Sequence, residues 1–338
     1  MLVISARPSS SNDDTSTNNK PQLRHRKIHD KLVQEGFKFS YTETPLETNK
    51  LAELKVIDPN MLKYFEECYN SSLDVNDSVY LDRSTGIIPS NMPKTIKNFD
   101  GVVGKLAYWR QTGLWCNDTV TPIKEDTFER IMISANNCYK AGLSKEKLIY
   151  CLNVDPGHHA GYKSYGGYCY INNAAVSALV HHYKHGRQCQ NVAILDLDHH
   201  AGNGTENIFE YYRSVLSLSI HANPEYDYPF YSGHESEYNL VFNPGVTVNN
   251  YMNLVKNAMD KIVDFGPGVL VIPFGGDTYK HDPEASNSCK CCLDIEDYNK
   301  IAKYIRSRFD GKIIVTQEGG YDMNSIDSIV HSFLSGFI

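Results

Sequence analysis

The chain has 338 residues, 41% hydrophobic and 22% charged, with a formal net charge of -7. Such a composition describes an ordinary globular protein long enough to bury a sizeable core. The negative balance argues against nucleic acid as a partner, and no apolar run approaches the ~18 residues of a membrane span, so a cytoplasmic chain is expected.

In chain order, Leu2 to Ser5 reads as a first strand and Ser9 to Lys20, rich in Ser, Asn, Asp and Thr, as a loop. The basic run Arg24-His25-Arg26-Lys27 reads as a solvated surface patch. Tyr80 to Cys116 holds Pro89, Pro93 and both tryptophans, Trp109 and Trp115, with little periodicity; it reads as an insertion, a lid or a subunit contact. Strand patterns follow at Leu148 to Leu152, Val192 to Leu195, Val215 to Ile220, Val269 to Phe274 and Ile313 to Thr316. Helical spacing appears at Asn173 to Lys184, Tyr251 to Asp264, Asp297 to Arg308 and Asn324 to Leu334. This alternation predicts an α/β fold with a mainly parallel sheet and helices on both faces, in a single domain over 1–338. The nine cysteines are odd in number and mostly scattered, which argues against a disulfide framework or zinc ribbon. The Cys289-Lys-Cys291-Cys292 group reads as part of a loop, and His181, His182 and His185 as surface residues.

Four polar clusters follow strands, where open α/β sheets build their sites. The most informative is Asp196-Leu-Asp198-His199-His200-Ala-Gly-Asn203-Gly204 after Val192 to Leu195. Residues two apart on a strand point the same way, so Asp198 and His200 can converge on one ion. Their oxygen and nitrogen donors suit a catalytic zinc with a position open for water. Asp277, after Gly275-Gly276, would be a third ligand, although an Asp in that setting also serves as a turn residue or cap. His158 and His159 sit between glycines in Pro156-Gly-His-His-Ala-Gly161 and are candidates for the general base, with Asp196 and Asn203 as orienting partners. Tyr321, presented by Gly319-Gly320, can donate its hydroxyl to an oxyanion. Gly166-Gly167-Tyr168 and Tyr228-Pro229 offer aromatic faces for a methylene chain in a narrow tunnel, with core packing as the competing reading.

Taken together these residues resemble the histone deacetylase superfamily, and most closely its acetylpolyamine amidohydrolase branch. The resemblance is carried by PGHHAG (156–161), GGYCYINNAA (166–175), AILDLDHHAGNGT (193–205), GGDT (275–278) and EGGYD (318–322), in family order. It implies a three-layer arginase/deacetylase-like fold with one catalytic zinc, Zn2+, bound by Asp198, His200 and Asp277. His159 would activate the zinc-bound water and protonate the leaving amine, held by Asn203. His158, paired with Asp196, would act mainly by charge, and Tyr321 would stabilise the oxyanion. Tyr168, Tyr228 and Gly167 match the tunnel wall, and Asp196 with Ser219 matches a monovalent-cation site for K+. The family usually reads Asp-x-Asp-x-His-His-Gly; here the histidine pair is shifted by one, so that His199 occupies a slot where a bulky apolar residue is usual. The Arg-Pro that commonly precedes Pro-Gly-His-His is Val154-Asp155, a change expected to alter the pocket rim.

Glu284, seven residues past Asp277, matches a rim glutamate of polyamine-selective members, and a carboxylate there would attract a second ammonium. The 80–116 insertion resembles the segment that branch uses to dimerise and narrow its entrance, implying a homodimer. The expected activity is therefore removal of acetyl groups from acetylated polyamines or related small acetyl-amines. A protein lysine deacetylase is the runner-up, and a catalytically inactive scaffold a third reading. An arginase-like binuclear manganese enzyme would need Asp-x-His-x-Asp, whereas this chain reads Asp-x-Asp-x-His.

Overall fold

A computed structural model describes residues 1–9, 20–73, 86–92, 97, 101, 104–184, 190–232 and 238–338. Its strands are β1 (Leu2–Ser5), β2 (Lys38–Tyr41), β3 (Leu148–Leu152), β4 (Val192–Asp196), β5 (Val215–Ala222), β6 (Asn239–Phe242), β7 (Val269–Phe274) and β8 (Lys312–Gln317). They form one sheet in the order β2-β1-β3-β8-β7-β4-β5-β6, and every pairing is parallel.

The central strands are apolar throughout because both of their faces are covered; β4 and β7 are buried at every position. Alternate residues enter different cores. Ile149 and Cys151 of β3 pack with helices Pro59–Cys68, Thr127–Leu143 and Asn173–Lys184. Tyr150 and Leu152 face helices Pro21–Gln34, Val248–Phe265, Ile295–Arg308 and Ile326–Ser335. Each fully buried Leu, Ile or Phe contributes about 1.5–3 kcal/mol, so these two layers hold the sheet rather than helix propensity. The α/β architecture with helices on both faces is the one expected.

Several expectations change. Arg24 and His25 are not a solvated patch. Both are buried, because helix Pro21–Gln34 turns them inward as it packs against helix Ile326–Ser335. One Arg24 terminal nitrogen (Nη2) donates to the Val154 carbonyl at 3.1 Å, and His25 Nε2 lies 2.9 Å from Ser5 Oγ. His181 and His182 are buried too, tied to Gln190 Oε1 at 3.0 Å and to the Gln190 carbonyl at 2.8 Å. They anchor a helix end to the approach to β4; His185 lies outside the described residues. Of the insertion, 80–85, 93–96, 98–100 and 102–103 lie outside the described residues. Its two tryptophans pack inward: Trp109 is buried, and the Trp115 ring lies 6.4 Å from that of Tyr64. Among the described residues the cysteines are free thiols, and no helix is long and apolar enough to cross a membrane.

Candidate active site

The four expected clusters leave the carboxyl ends of β3, β8, β7 and β4, which are consecutive neighbours in the sheet. β4 stops at Asp196, and Asp198 to His200 sit in a bend beyond it. Their convergence therefore comes from this turn and not from strand periodicity. His200 Nδ1 lies 3.2 Å from Asp198 Oδ1 and 3.3 Å from Asp277 Oδ2. One donor atom from each of the three lies within 4.8 Å of the others.

Backbone amides from neighbouring loops hold both carboxylates. The His200 and Gly319 N–H groups donate to Asp198 at 2.9 and 2.8 Å, and the His199 N–H donates to Asp277 Oδ1 at 2.9 Å. Glycines make room for them. A Cβ on Gly275 would stand 2.2 Å from Asp198 Oδ2, and one on Gly319 would stand 2.3 Å from Asp277 Oδ2. Asp277 Oδ2 is fully buried and makes no hydrogen bond. A buried set of two carboxylates and one imidazole, with an oxygen left unbonded, fits a divalent ion of the zinc kind. Burial opposes charge on Asp198, but His158 and His200 outweigh it and hold its pKa well below the usual carboxylate range. Burial, then the charge of Asp198, pushes Asp277 up to about 7 against the pull of His200.

His158 Nδ1 lies 3.0 Å from Asp196 Oδ2, and its Nε2 is 3.6 Å from Asp198 Oδ1. Burial works against its charge, yet Asp198, Asp196 and Glu318 raise its pKa to about 10. His159 Nδ1 lies 2.7 Å from Asn203 Oδ1. Burial, and after it the neighbouring His158 and His200 rings, keep its pKa well below the ordinary value, which favours the neutral imidazole. The His159 ring stands 4.0 Å from that of His158 and 6.1 Å from that of His200. Asn203 opens the helix Asn203–Phe209. Asp196 and Ser219 face each other in the β4–β5 register.

Tyr321 is buried, follows Gly320 at φ 114°, and is fixed through its N–H, which donates to Asp282 Oδ2 at 2.7 Å. The Tyr168 ring lies 6.0 Å from that of Tyr321, and the Tyr228 ring lies 4.8 Å from that of His159. Gly167 adopts φ 56°, and a Cβ there would stand 2.3 Å from His159 Cδ2. Glu284 is half-buried and accepts from the Tyr168 hydroxyl at 3.3 Å.

Several residues at the site escaped the sequence reading. The Glu318 carboxylate is fully buried and accepts from the Gly157 and His158 N–H groups, so it sets the loop that carries both histidines. Asp118 accepts from the Gly167 N–H at 2.6 Å. Asp227 accepts from His199 Nε2–H at 2.9 Å, which answers how a histidine occupies the slot expected to be apolar. Asp155 does not shape the rim as expected. It is buried and takes a two-pronged contact from Arg130, at 2.7 and 3.1 Å. Only the Glu318 position carried a signal, its place beside Gly319-Gly320.

The chain is similar to known proteins over most of its length. It is 30% identical over 291 residues to acetylpolyamine amidohydrolase 1 of Pseudomonas aeruginosa, covering 78% of this chain and 82% of that protein. It is 31% identical over 239 residues to the acetylpolyamine amidohydrolase of Mycoplana ramosa, covering 67% and 68%. To histone deacetylase 15 of Arabidopsis thaliana it is 32% identical over 187 residues, covering 51% and 32%. The crystal structure of an acetylpolyamine aminohydrolase from Burkholderia pseudomallei superposes with a TM-score of 0.80 at 23% identity, over 100% of this chain and 98% of that one. Residues 21–337 match the histone deacetylase domain, and the chain belongs to that family.

Proposed function

We propose that the protein is a zinc-dependent amidohydrolase that removes acetyl groups from acetylated polyamines or related small acetyl-amines. The observation that carries this reading is the meeting of Asp198, His200 and Asp277 at adjacent strand ends, with the His159 imidazole beside them. The amidohydrolase relatives support the substrate class, since they match about two thirds or more of the chain whereas histone deacetylase 15 matches about half.

Asp198, His200 and Asp277 would hold the zinc, and the bound ion supplies a Lewis acid that polarises the acetyl carbonyl and acidifies water. His159 donates Nδ1–H to the Asn203 amide oxygen, which leaves the Nε2 lone pair to take the proton of the attacking water. The same nitrogen returns that proton to the leaving amine. His158, held by Asp196, adds positive charge beside the reacting carbonyl. Tyr321 donates its hydroxyl to the developing oxyanion. Tyr168, Tyr228 and Gly167 line the path of the methylene chain. Glu284 draws a distal ammonium to the mouth. Asp196 and Ser219, register partners across β4 and β5, would hold a potassium ion. The 80–116 insertion narrows the entrance and pairs two copies of one domain spanning 1–338. The free thiols suit the reducing cytoplasm.

Turnover of acetylputrescine and acetylspermidine, compared with an acetyl-lysine peptide, tests the reading. Faster hydrolysis of the polyamines is expected, and Glu284→Leu should raise their KM while leaving the peptide unchanged. Preference for the peptide would assign a protein lysine deacetylase instead, and turnover of neither a scaffold.

A further inference from the structure

Asp227 is a buried carboxylate, 5% exposed, wedged between the bend that carries His200 and two loops of the rim. Burying a carboxylate is costly unless donors meet it, and here three N–H groups do. Its Oδ2 accepts from His199 Nε2–H at 2.9 Å and from the Ser286 N–H at 2.7 Å, and its Oδ1 accepts from the Tyr228 N–H at 2.8 Å. That oxygen also lies 3.7 Å from His200 Nε2, too far for a hydrogen bond but within reach of its charge. His200 turns its other nitrogen, Nδ1, to Asp198 and Asp277. His199 is itself fully buried, with its Nδ1 making no hydrogen bond and its ring 5.6 Å from that of Phe242. A neutral imidazole that donates only through Nε2 suits those surroundings, so the carboxylate keeps its negative charge.

We propose that Asp227 is the positioning carboxylate of the candidate metal centre. Its charge holds the Nε2–H edge of His200 and so aims Nδ1 at the ion, while His199 and Ser286 hold Asp227. Ligating histidines commonly give their second ring N–H to such a partner, which raises their basicity and fixes their orientation. The inference rests on the reading that Asp198, His200 and Asp277 hold an ion. It adds that the loops carrying Tyr228 and Glu284 are tied through one side chain to the segment that carries His200. His199, His200 and Asp227 also form a donor group of their own. A second ion there would have to share His200 as a bridging imidazolate, which makes positioning the simpler role.

Ion content, the rate of zinc loss to excess chelator, and the visible spectrum of the cobalt-substituted protein test the proposal. They are to be compared in the wild type, Asp227→Asn, Asp227→Glu, His199→Leu and Asp198→Ala. One ion per chain is expected in the wild type. Asp227→Asn, with an unchanged far-ultraviolet circular dichroism spectrum, should weaken retention ~10–100-fold and alter the cobalt spectrum. Asp227→Glu should recover part of the loss, and His199→Leu should move retention the same way by a smaller factor. Wild-type retention and a wild-type cobalt spectrum in both Asp227→Asn and His199→Leu would overturn the proposal. So would two ions per chain with one lost in Asp227→Asn, since Asp227 would then be a ligand. Wild-type retention in Asp198→Ala would overturn the three-ligand reading itself, a failure distinguishable from the other two.

Discussion

At the scale of single residues, the space for the ion is made by glycine as much as by the ligands. Gly275→Ala would put a methyl 2.2 Å from Asp198 Oδ2 and 2.4 Å from Asp277 Oδ1, so the two carboxylates must part. The variant should fold and yet lose its metal, which a metal analysis of the purified protein would show; full occupancy would contradict the packing. Tyr321→Phe should keep the ion and lower kcat by ~10²–10³, because one oxyanion donor is worth that much. Unchanged single-turnover rates would remove Tyr321 from the chemistry. Asp198, His200, Asp277, His158, His159 and Tyr321 were legible in the sequence because each follows an apolar strand within a few residues. Asp227 was not, and of Glu318 only the position was, directly after β8 and beside Gly319-Gly320. Their contacts join residues far apart in the chain, Glu318 to His158 and Asp227 to Ser286, and no local pattern encodes such a meeting.

Among the elements, those with unbroken apolar runs were read correctly, β3 and β7 to the residue. The sheet edges were missed: β2, Lys38–Tyr41, is partly exposed and polar at alternate positions, and β6 is four residues long. Helix Thr127–Leu143 was missed because Ser134 and Asn137 are buried among its apolar residues and blur its stripe. That helix has a direct part in the site. Its Arg130 grips the buried Asp155 just before the histidine loop. Arg130→Met would leave Asp155 buried and unpaired, a change that costs about 3–5 kcal/mol. Urea unfolding should show that loss, and a double variant with Asp155→Asn should recover part of it. Equal stability of Arg130→Met and wild type would mean the pair is solvated.

Across the whole molecule, the strand order does what the sequence could not announce. β3, β8, β7 and β4 are separated in the chain but adjacent in the sheet, so four loops meet at one end. The same compactness sets a limit on acid stability. Burial, with His29 and Arg24 adding to it, lowers the pKa of His25 from 6.5 to about 3. Between those values the unfolded chain takes up a proton that the folded protein refuses, so stability falls as pH drops through this window. His25→Gln cannot ionise and should flatten the acid limb of urea midpoints measured from pH 7 to pH 5. An unchanged slope would place that imidazole in water.

The most direct measurement is zinc content per chain, by elemental analysis after gel filtration, in the wild type and in His200→Ala. One zinc in the wild type and none in a folded His200→Ala is expected if the three strand-end side chains grip the ion. Full occupancy in that variant would contradict it.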